Sequence, residues 1–202
     1  MEKTNYLEDI SEIKAMMAQS TRCISLSGLS GVLAGIYALI GAFVAYYLVE
    51  IKGDGVLYLH DETFKLILLD LALVALLSIL TAVFLSSRKA KKKKLKLWDA
   101  SSKRLVFNFL IPFVTGGIYI LILLEQQKYG QTAGLMLLFY GLALVNASKY
   151  SIGDIKILGF MEIALGLTSA LLPGFGFWLW CIGFGVLHII YGTFMYYKYD
   201  KN

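Results

Sequence analysis

Three ionisable side chains lie well inside apolar stretches of the 202-residue sequence, and their types are suited to proton chemistry: Asp70, Glu162 and His188. In a helical membrane bundle such side chains face the interior, because placing an aspartate in lipid costs at least about 2.5–3.5 kcal/mol. A carboxyl group and an imidazole exchange protons when burial brings their proton affinities together. The three residues therefore form a candidate intramembrane polar site for a proton or a cation.

Helix geometry places two of these residues at similar depths. At a rise of 1.5 Å per residue, Glu162 lies about 17 Å and His188 about 22 Å from the tight turn at 173–174. The pair is within side-chain reach if the small-residue faces of the two helices face each other. Asp70 lies in the opposite half of the membrane. The alternative is a structural hydrogen bond between Glu162 and His188, with Asp70 bonded to a backbone or hydroxyl group.

The same residues are too few to hold a metal ion. A zinc or iron site needs three or four converging ligands, whereas the apolar stretches supply one histidine and two carboxylates. Cys23 and Cys181 lie at different depths, farther apart than the roughly 7 Å between Cα atoms that a disulfide tolerates. We expect no metal, no other cofactor and no disulfide.

Six apolar stretches must position the candidate site. The sequence is 58% apolar and only 16% charged, with a mean hydropathy of +0.68. A hydrocarbon core about 30 Å thick needs about 20 helical residues to cross it, and helices satisfy their own backbone in lipid. This composition excludes a soluble enzyme, a disordered chain and a disulfide-stapled secreted module. It predicts an all-α, polytopic membrane protein with spans at 24–49, 63–85, 105–124, 130–148, 155–172 and 175–197.

The distribution of basic residues predicts the orientation. With the N-terminus in the cytoplasm, 16 of the 19 lysines and arginines fall on the cytoplasmic side, against Lys52, Lys65 and Lys128 outside. A bias of this size over short loops places both termini in the cytoplasm. Residues 1–23 form a cytoplasmic amphipathic segment with a surface helix over 5–20, the transmembrane domain covers 24–197, and a short tail covers 198–202.

The basic segment 88–96 lies in the loop after the second span. The simplest interpretation is a stop signal that fixes the topology. The alternative is a site for anionic lipid headgroups, worth about 1 kcal/mol per basic residue near the surface. No aromatic platform or reading helix accompanies the segment, so nucleic-acid binding is not expected.

Small residues at helical spacing predict close helix packing. In lipid, close backbone approach rather than a hydrophobic drive joins helices. One face of the first span carries Ser27, Gly31, Gly35, Ala38, Ala42 and Ala45, and similar faces occur in spans five and six. These faces favour a non-enzymatic protein that acts through helix contacts with itself, as a homo-oligomer, or with a membrane partner. The second hypothesis is a small proton- or cation-coupled transporter or channel that uses Asp70, Glu162 and His188.

Proline in the third span predicts a local backbone feature. Pro112 cannot donate a backbone hydrogen bond, so the carbonyl of Asn108 lacks its helical partner and the helix is expected to kink.

A third functional hypothesis comes from a short motif. The segment 28–31, Gly-Leu-Ser-Gly, followed by Tyr-Ala-Leu-Ile-Gly at 37–41, resembles the catalytic serine segment of rhomboid intramembrane proteases. The resemblance implies an intramembrane serine hydrolase with Ser30 as nucleophile and His188 as its base. It covers about 16 residues, and here the serine lies in the first span rather than a later one.

Both ends of the transmembrane domain carry a second resemblance. The segment 25–31, Ser-Leu-Ser-Gly-Leu-Ser-Gly, and the segment 183–188, Gly-Phe-Gly-Val-Leu-His, followed by Tyr191 and Gly192, are similar to uncharacterised six-span inner-membrane proteins of Bacteroidetes. The resemblance implies a location in the cell inner membrane and no known activity.

Overall fold

The computed structural model describes residue 10 and residues 27–51, 62–92, 98–151 and 154–201. These residues form six helices, which confirms the all-α prediction. The proposed surface helix over 5–20 apart from residue 10, Cys23, and positions 93–96 of the basic segment lie outside the described residues. The helices are α1 (Gly28–Tyr46, extended by a π-helical turn Tyr47–Ile51), α2 (Glu62–Lys92), α3 (Ala100–Glu125), α4 (Thr132–Ala147), α5 (Ile155–Leu171) and α6 (Gly176–Asp200).

Five of these helices are long and apolar enough to cross a membrane. The exception is α5, which has 17 residues. Two helices extend farthest beyond the apolar stretches that predicted them, because lysine and serine are compatible with helix where the chain enters the polar layer. Thus α2 continues to Lys92, and α3 begins at Ala100.

Asp99 explains the early start of α3. Its carboxylate Oδ1 accepts hydrogen bonds from the backbone N–H and from the hydroxyl of Ser102, both at 2.7 Å. This is the N-cap arrangement, in which a side chain satisfies an amide that the helix leaves open. The same hydrogen bonds hold the pKa of the Asp99 carboxyl below its usual range, with the bond from the Ser102 amide as the largest cause.

The helices divide into two groups of three. In the first, α1 packs against both α2 and α6; in the second, α4 packs against both α3 and α5. Smaller contacts of α6 with α4 and α5 join the groups. The condition stated for a contact between Glu162 and His188, that the small-residue faces of α5 and α6 face each other, is not met. The small face of α5 lies on α4 and that of α6 lies on α1, because glycines on those helices provide matching close backbone approach.

Two glycine seams, one between α1 and α6 and one between α4 and α5, hold these groups together. In each seam, two glycines seven residues apart on one helix lie opposite two glycines seven residues apart on its antiparallel neighbour. A seven-residue repeat keeps the same face toward the partner when helices cross with left-handed geometry. The pairs are Gly28 with Gly192, Gly35 with Gly185, Gly134 with Gly166, and Gly141 with Gly159.

An ion pair fixes the end of the bundle at which α1, α3 and α5 begin, which we call the basic end. Asp200 of α6 lies 2.5 Å from the Lys89 ammonium of α2, and both side chains are about 10% exposed. The other carboxylate oxygen of Asp200 accepts the Gly28 N–H at 2.7 Å and the Ser27 hydroxyl at 3.2 Å. One carboxylate therefore caps α1 and joins it to α2 and α6.

The carbonyl that Pro112 leaves without a helical partner is satisfied by another helix. Asn146 of α4 donates its side-chain amide to the Asn108 carbonyl at 2.8 Å. A polar bond between helices thus replaces the missing bond within α3, and it helps to fix α3 on α4.

We expect Gly192→Ala to lower the unfolding midpoint in detergent. A Cβ at this position would lie 2.7 Å from the Gly28 carbonyl oxygen, a backbone atom that cannot move without opening the seam. Overpacking of this kind costs about 1–3 kcal/mol. The matched control is Gly117→Ala, where a Cβ meets nothing within 4 Å and the midpoint should stay the same or rise. Equal midpoints for the two variants would contradict the seam.

A double-mutant cycle tests the bond between α3 and α4. Asn146→Ala should cost about 1–3 kcal/mol, because it leaves the Asn108 carbonyl unsatisfied. In a Pro112→Ala background the helix regains its own bond to that carbonyl, so the same change should cost about 1 kcal/mol less. Unfolding of the four proteins in detergent measures the coupling, and additive effects would show that Asn146 does not compensate for the proline.

Candidate functional site

The structure brings Glu162 and His188 together in the middle of the bundle. Glu162 of α5 is completely buried, and His188 of α6 is 7% exposed. The His188 ring nitrogen Nδ1 lies 3.5 Å from Glu162 Oε1. This separation is longer than a hydrogen bond, so the two groups are in contact without being bonded.

His188 is held by two other groups, one of which the sequence reasoning missed. Its Nδ1 lies 3.0 Å from the Gly183 carbonyl oxygen, and its Nε2 lies 2.9 Å from the hydroxyl of Tyr140 on α4. With the proton on Nδ1, the ring donates to the carbonyl and accepts from the tyrosine. The sequence does not indicate Tyr140, because a tyrosine in an apolar stretch gives no signal that separates it from other aromatic residues.

Irregular backbone in α6 accompanies this arrangement. Residues Cys181–Leu187 form a π-helical segment between two α-helical segments. Wider turns of this kind change the direction of side chains relative to an α-helix and occur often at functional sites. The carbonyl that His188 contacts belongs to Gly183, inside this segment.

Gly183 also makes room for the carboxyl group. A Cβ at this position would lie 2.6 Å from Glu162 Oε2. Even so, neither carboxyl oxygen of Glu162 has a hydrogen-bond partner among the residues that the structure describes. A fully buried polar group is usually bonded, and the predicted structural hydrogen bond between Glu162 and His188 is not formed.

Asp70 lies apart from this pair, beside a cavity at the end of the bundle opposite the basic end. The cavity has a volume of about 340 Å³ and lies between α1, α2, α4 and α6. Trp180 forms part of its wall and packs against Phe184 at 5.0 Å between ring centroids, and Phe184 stacks on His188 at 5.9 Å. Two aromatic rings therefore separate the cavity from the buried pair.

The structure does not bring Ser30 and His188 together as a nucleophile and base. The Ser30 hydroxyl donates a hydrogen bond at 2.6 Å to the backbone carbonyl of Ser27, just before the same helix begins. Both ring nitrogens of His188 contact Gly183 and Tyr140. The hydrogen bond that activates a serine nucleophile is therefore not formed between these two residues.

Across residues 27–51, 62–92, 98–151 and 154–201, no group of three or more histidine, cysteine, aspartate or glutamate side chains is placed to hold a metal ion. No family model matches the chain, and neither the curated proteins nor the solved structures give a match.

Stability measurements separate a working carboxyl group from a structural one. Glu162→Gln keeps the shape of the side chain and removes no hydrogen bond, so the unfolding midpoint in detergent should stay the same or rise. His188→Ala should lower it by the equivalent of about 1–3 kcal/mol, because the Tyr140 hydroxyl and the Gly183 carbonyl lose their partner. A midpoint for Glu162→Gln as low as that for His188→Ala would mean that the carboxyl group is a structural partner.

Proposed function

We propose that the protein is a six-span transporter of the cell inner membrane that binds protons at Glu162 and His188, conducts them across the membrane even without solute, and couples part of this proton flux to movement of a small solute. Both termini lie in the cytoplasm in this proposal. The observation that carries it is the completely buried Glu162 carboxyl group, which has no hydrogen-bond partner among the described residues and lies 3.5 Å from an imidazole.

The cost of burying charge argues for a proton at this pair. An ionised carboxylate without a bonded partner costs several kcal/mol in a low-dielectric interior. Either a neutral Glu162 beside neutral His188, or a carboxylate beside a charged imidazolium, avoids an isolated negative charge. Both states contain one more proton than the pair of ionised Glu162 and neutral His188. Natural proteins retain buried ionisable groups of this kind where function requires them.

Tyr140 makes both states of the histidine acceptable. Its hydroxyl, 2.9 Å from His188 Nε2, donates when that nitrogen is unprotonated and accepts when it carries a proton. The contact of Nδ1 with the Gly183 carbonyl suits a protonated Nδ1 in both cases. The pair can therefore gain and lose a proton without a change of helix packing.

The six-span topology and the orientation are supported by the two ends of the bundle. Although α5 has only 17 residues, it reaches from one end of the bundle to the other. Asp154, just before α5, pairs with Lys198 at the basic end, and Ser169 of α5 lies against Gly134 near the other end. Of the 12 lysines and arginines that the structure describes, ten lie at the basic end and only Lys65 and Lys128 at the other. The positive-inside rule places the basic end in the cytoplasm.

The helix packing gives less support to the other hypothesis, in which the protein acts through helix contacts with a second copy of itself or with a membrane partner. The small-residue faces that suggested such contacts lie in the two glycine seams, against helices of the same chain. The partner that we propose is the lipid bilayer, and the basic segment 88–96 contacts its anionic headgroups in this proposal. Within that segment, Lys89 pairs with Asp200 of the same chain.

Proton flux into liposomes tests the proposal. The full chain is reconstituted with a pH-sensitive dye inside, a pH gradient is applied, and valinomycin with potassium clamps the membrane potential. We expect internal acidification at least about tenfold faster than in protein-free liposomes. Glu162→Gln should return the rate to that of protein-free liposomes, while the control Glu125→Gln, at the end of α3, should keep the wild-type rate.

Two results would contradict proton coupling at this pair. One is a wild-type rate equal to that of protein-free liposomes. The other is an undiminished rate in Glu162→Gln.

A further inference from the structure

The cavity beside Asp70 has the dimensions and composition of a ligand site. Its volume of about 340 Å³ falls within the range of about 300–1,000 Å³ that is usual for small-molecule sites. Four helices and the turns at Gly130 and Gly174 contribute to its wall. Because these turns lie at the end opposite the basic end, the cavity is close to that surface of the bundle.

The negative charge of the cavity wall favours a cation as the ligand. Asp70 is the ionisable carboxylate in the lining, and no lysine, arginine or histidine accompanies it among the described lining residues. It has no hydrogen bond or ion pair to any part of the chain that the structure describes, and it is only half-buried. A Cβ on Gly41 would lie 3.0 Å from its Oδ2, so the glycine leaves space beside the carboxylate.

The rest of the wall distinguishes an organic cation from a metal ion. Sodium, magnesium and calcium ions need several oxygen ligands to replace their water, and the side chains of this lining provide few besides Asp70. Instead Phe177, Trp180 and Tyr129 contribute aromatic rings, with aliphatic side chains between them. Aromatic faces attract alkylated ammonium groups, and the aliphatic side chains suit an apolar body.

We propose that this cavity binds a small organic monovalent cation, an amine or a quaternary ammonium compound with an apolar body, with Asp70 as its counter-ion. The role of the ligand as the transported solute rests on the proposed function above, whereas its binding does not. In that role the cation enters from the side opposite the basic end, and the Trp180–Phe184 barrier separates it from the proton site at Glu162 and His188.

Binding of benzyltrimethylammonium to the full chain in detergent tests the assignment, with calorimetry as the readout and no pH gradient present. We expect saturable binding by the wild type. Asp70→Asn, which keeps the shape of the side chain, should weaken it at least about tenfold, equivalent to about 1.4 kcal/mol. Glu62→Gln is the matched control: it removes an exposed carboxylate of the same helix that pairs with Lys65, and it should leave the affinity unchanged.

Further ligands and one further variant test which chemical class of ligand the cavity binds. Phenylacetate, which has a similar aromatic body and the opposite charge, should not bind. Sodium chloride should reduce binding no more than potassium chloride does at the same ionic strength. Phe177→Leu should weaken binding several-fold. Equal affinity of Asp70→Asn and wild type, binding of phenylacetate, or specific competition by sodium would each overturn the proposal.

The two proposals fail separately. Binding without any proton flux would contradict the transport function and support the cation site. Proton flux that depends on Glu162, without binding of the organic cation, would overturn the cation site alone.

Discussion

The absence of a hydrophobic drive between helices in lipid is the constraint on which this bundle depends. Helices there associate through close packing and polar bonds, and the chain meets this constraint with two glycine seams. Because backbone approaches backbone in each seam, the spacing of α1 from α6 and of α4 from α5 is fixed by atoms that have few alternative positions. The positions of the polar side chains on α4, α5 and α6 follow from those spacings.

Gly183 links this packing constraint to the proposed proton site. Its missing side chain leaves the space that the Glu162 carboxyl group occupies, and its carbonyl oxygen accepts from His188. The residue lies in the π-helical segment of α6, and wider turns of this kind occur often at functional sites. A single backbone position thus places both members of the buried pair, while Tyr140 approaches the imidazole from α4.

Hydropathy predicted the fold class and nearly all helix positions, because the requirement for long apolar helices is strong and local. Depth along a helix follows from a constant rise, so the similar depths of Glu162 and His188 could also be predicted. Rotation about the helix axis was not predictable: the small-residue faces of α5 and α6 each contact a different helix rather than each other. The Asp200–Lys89 pair and the Tyr140 contact depend on tertiary neighbours distant in sequence, and no local pattern indicates them.

Asp200 caps the beginning of α1 across a separation of 172 residues, and this has a consequence for biosynthesis. During translation α1 is synthesised before the carboxylate that caps it and before the α6 glycines that pack on it. The α4–α5 hairpin is local in sequence, so its contacts can form as soon as both of its helices have been synthesised. The seam between α1 and α6 and the Asp200 cap, in contrast, can form only after all six helices have been synthesised.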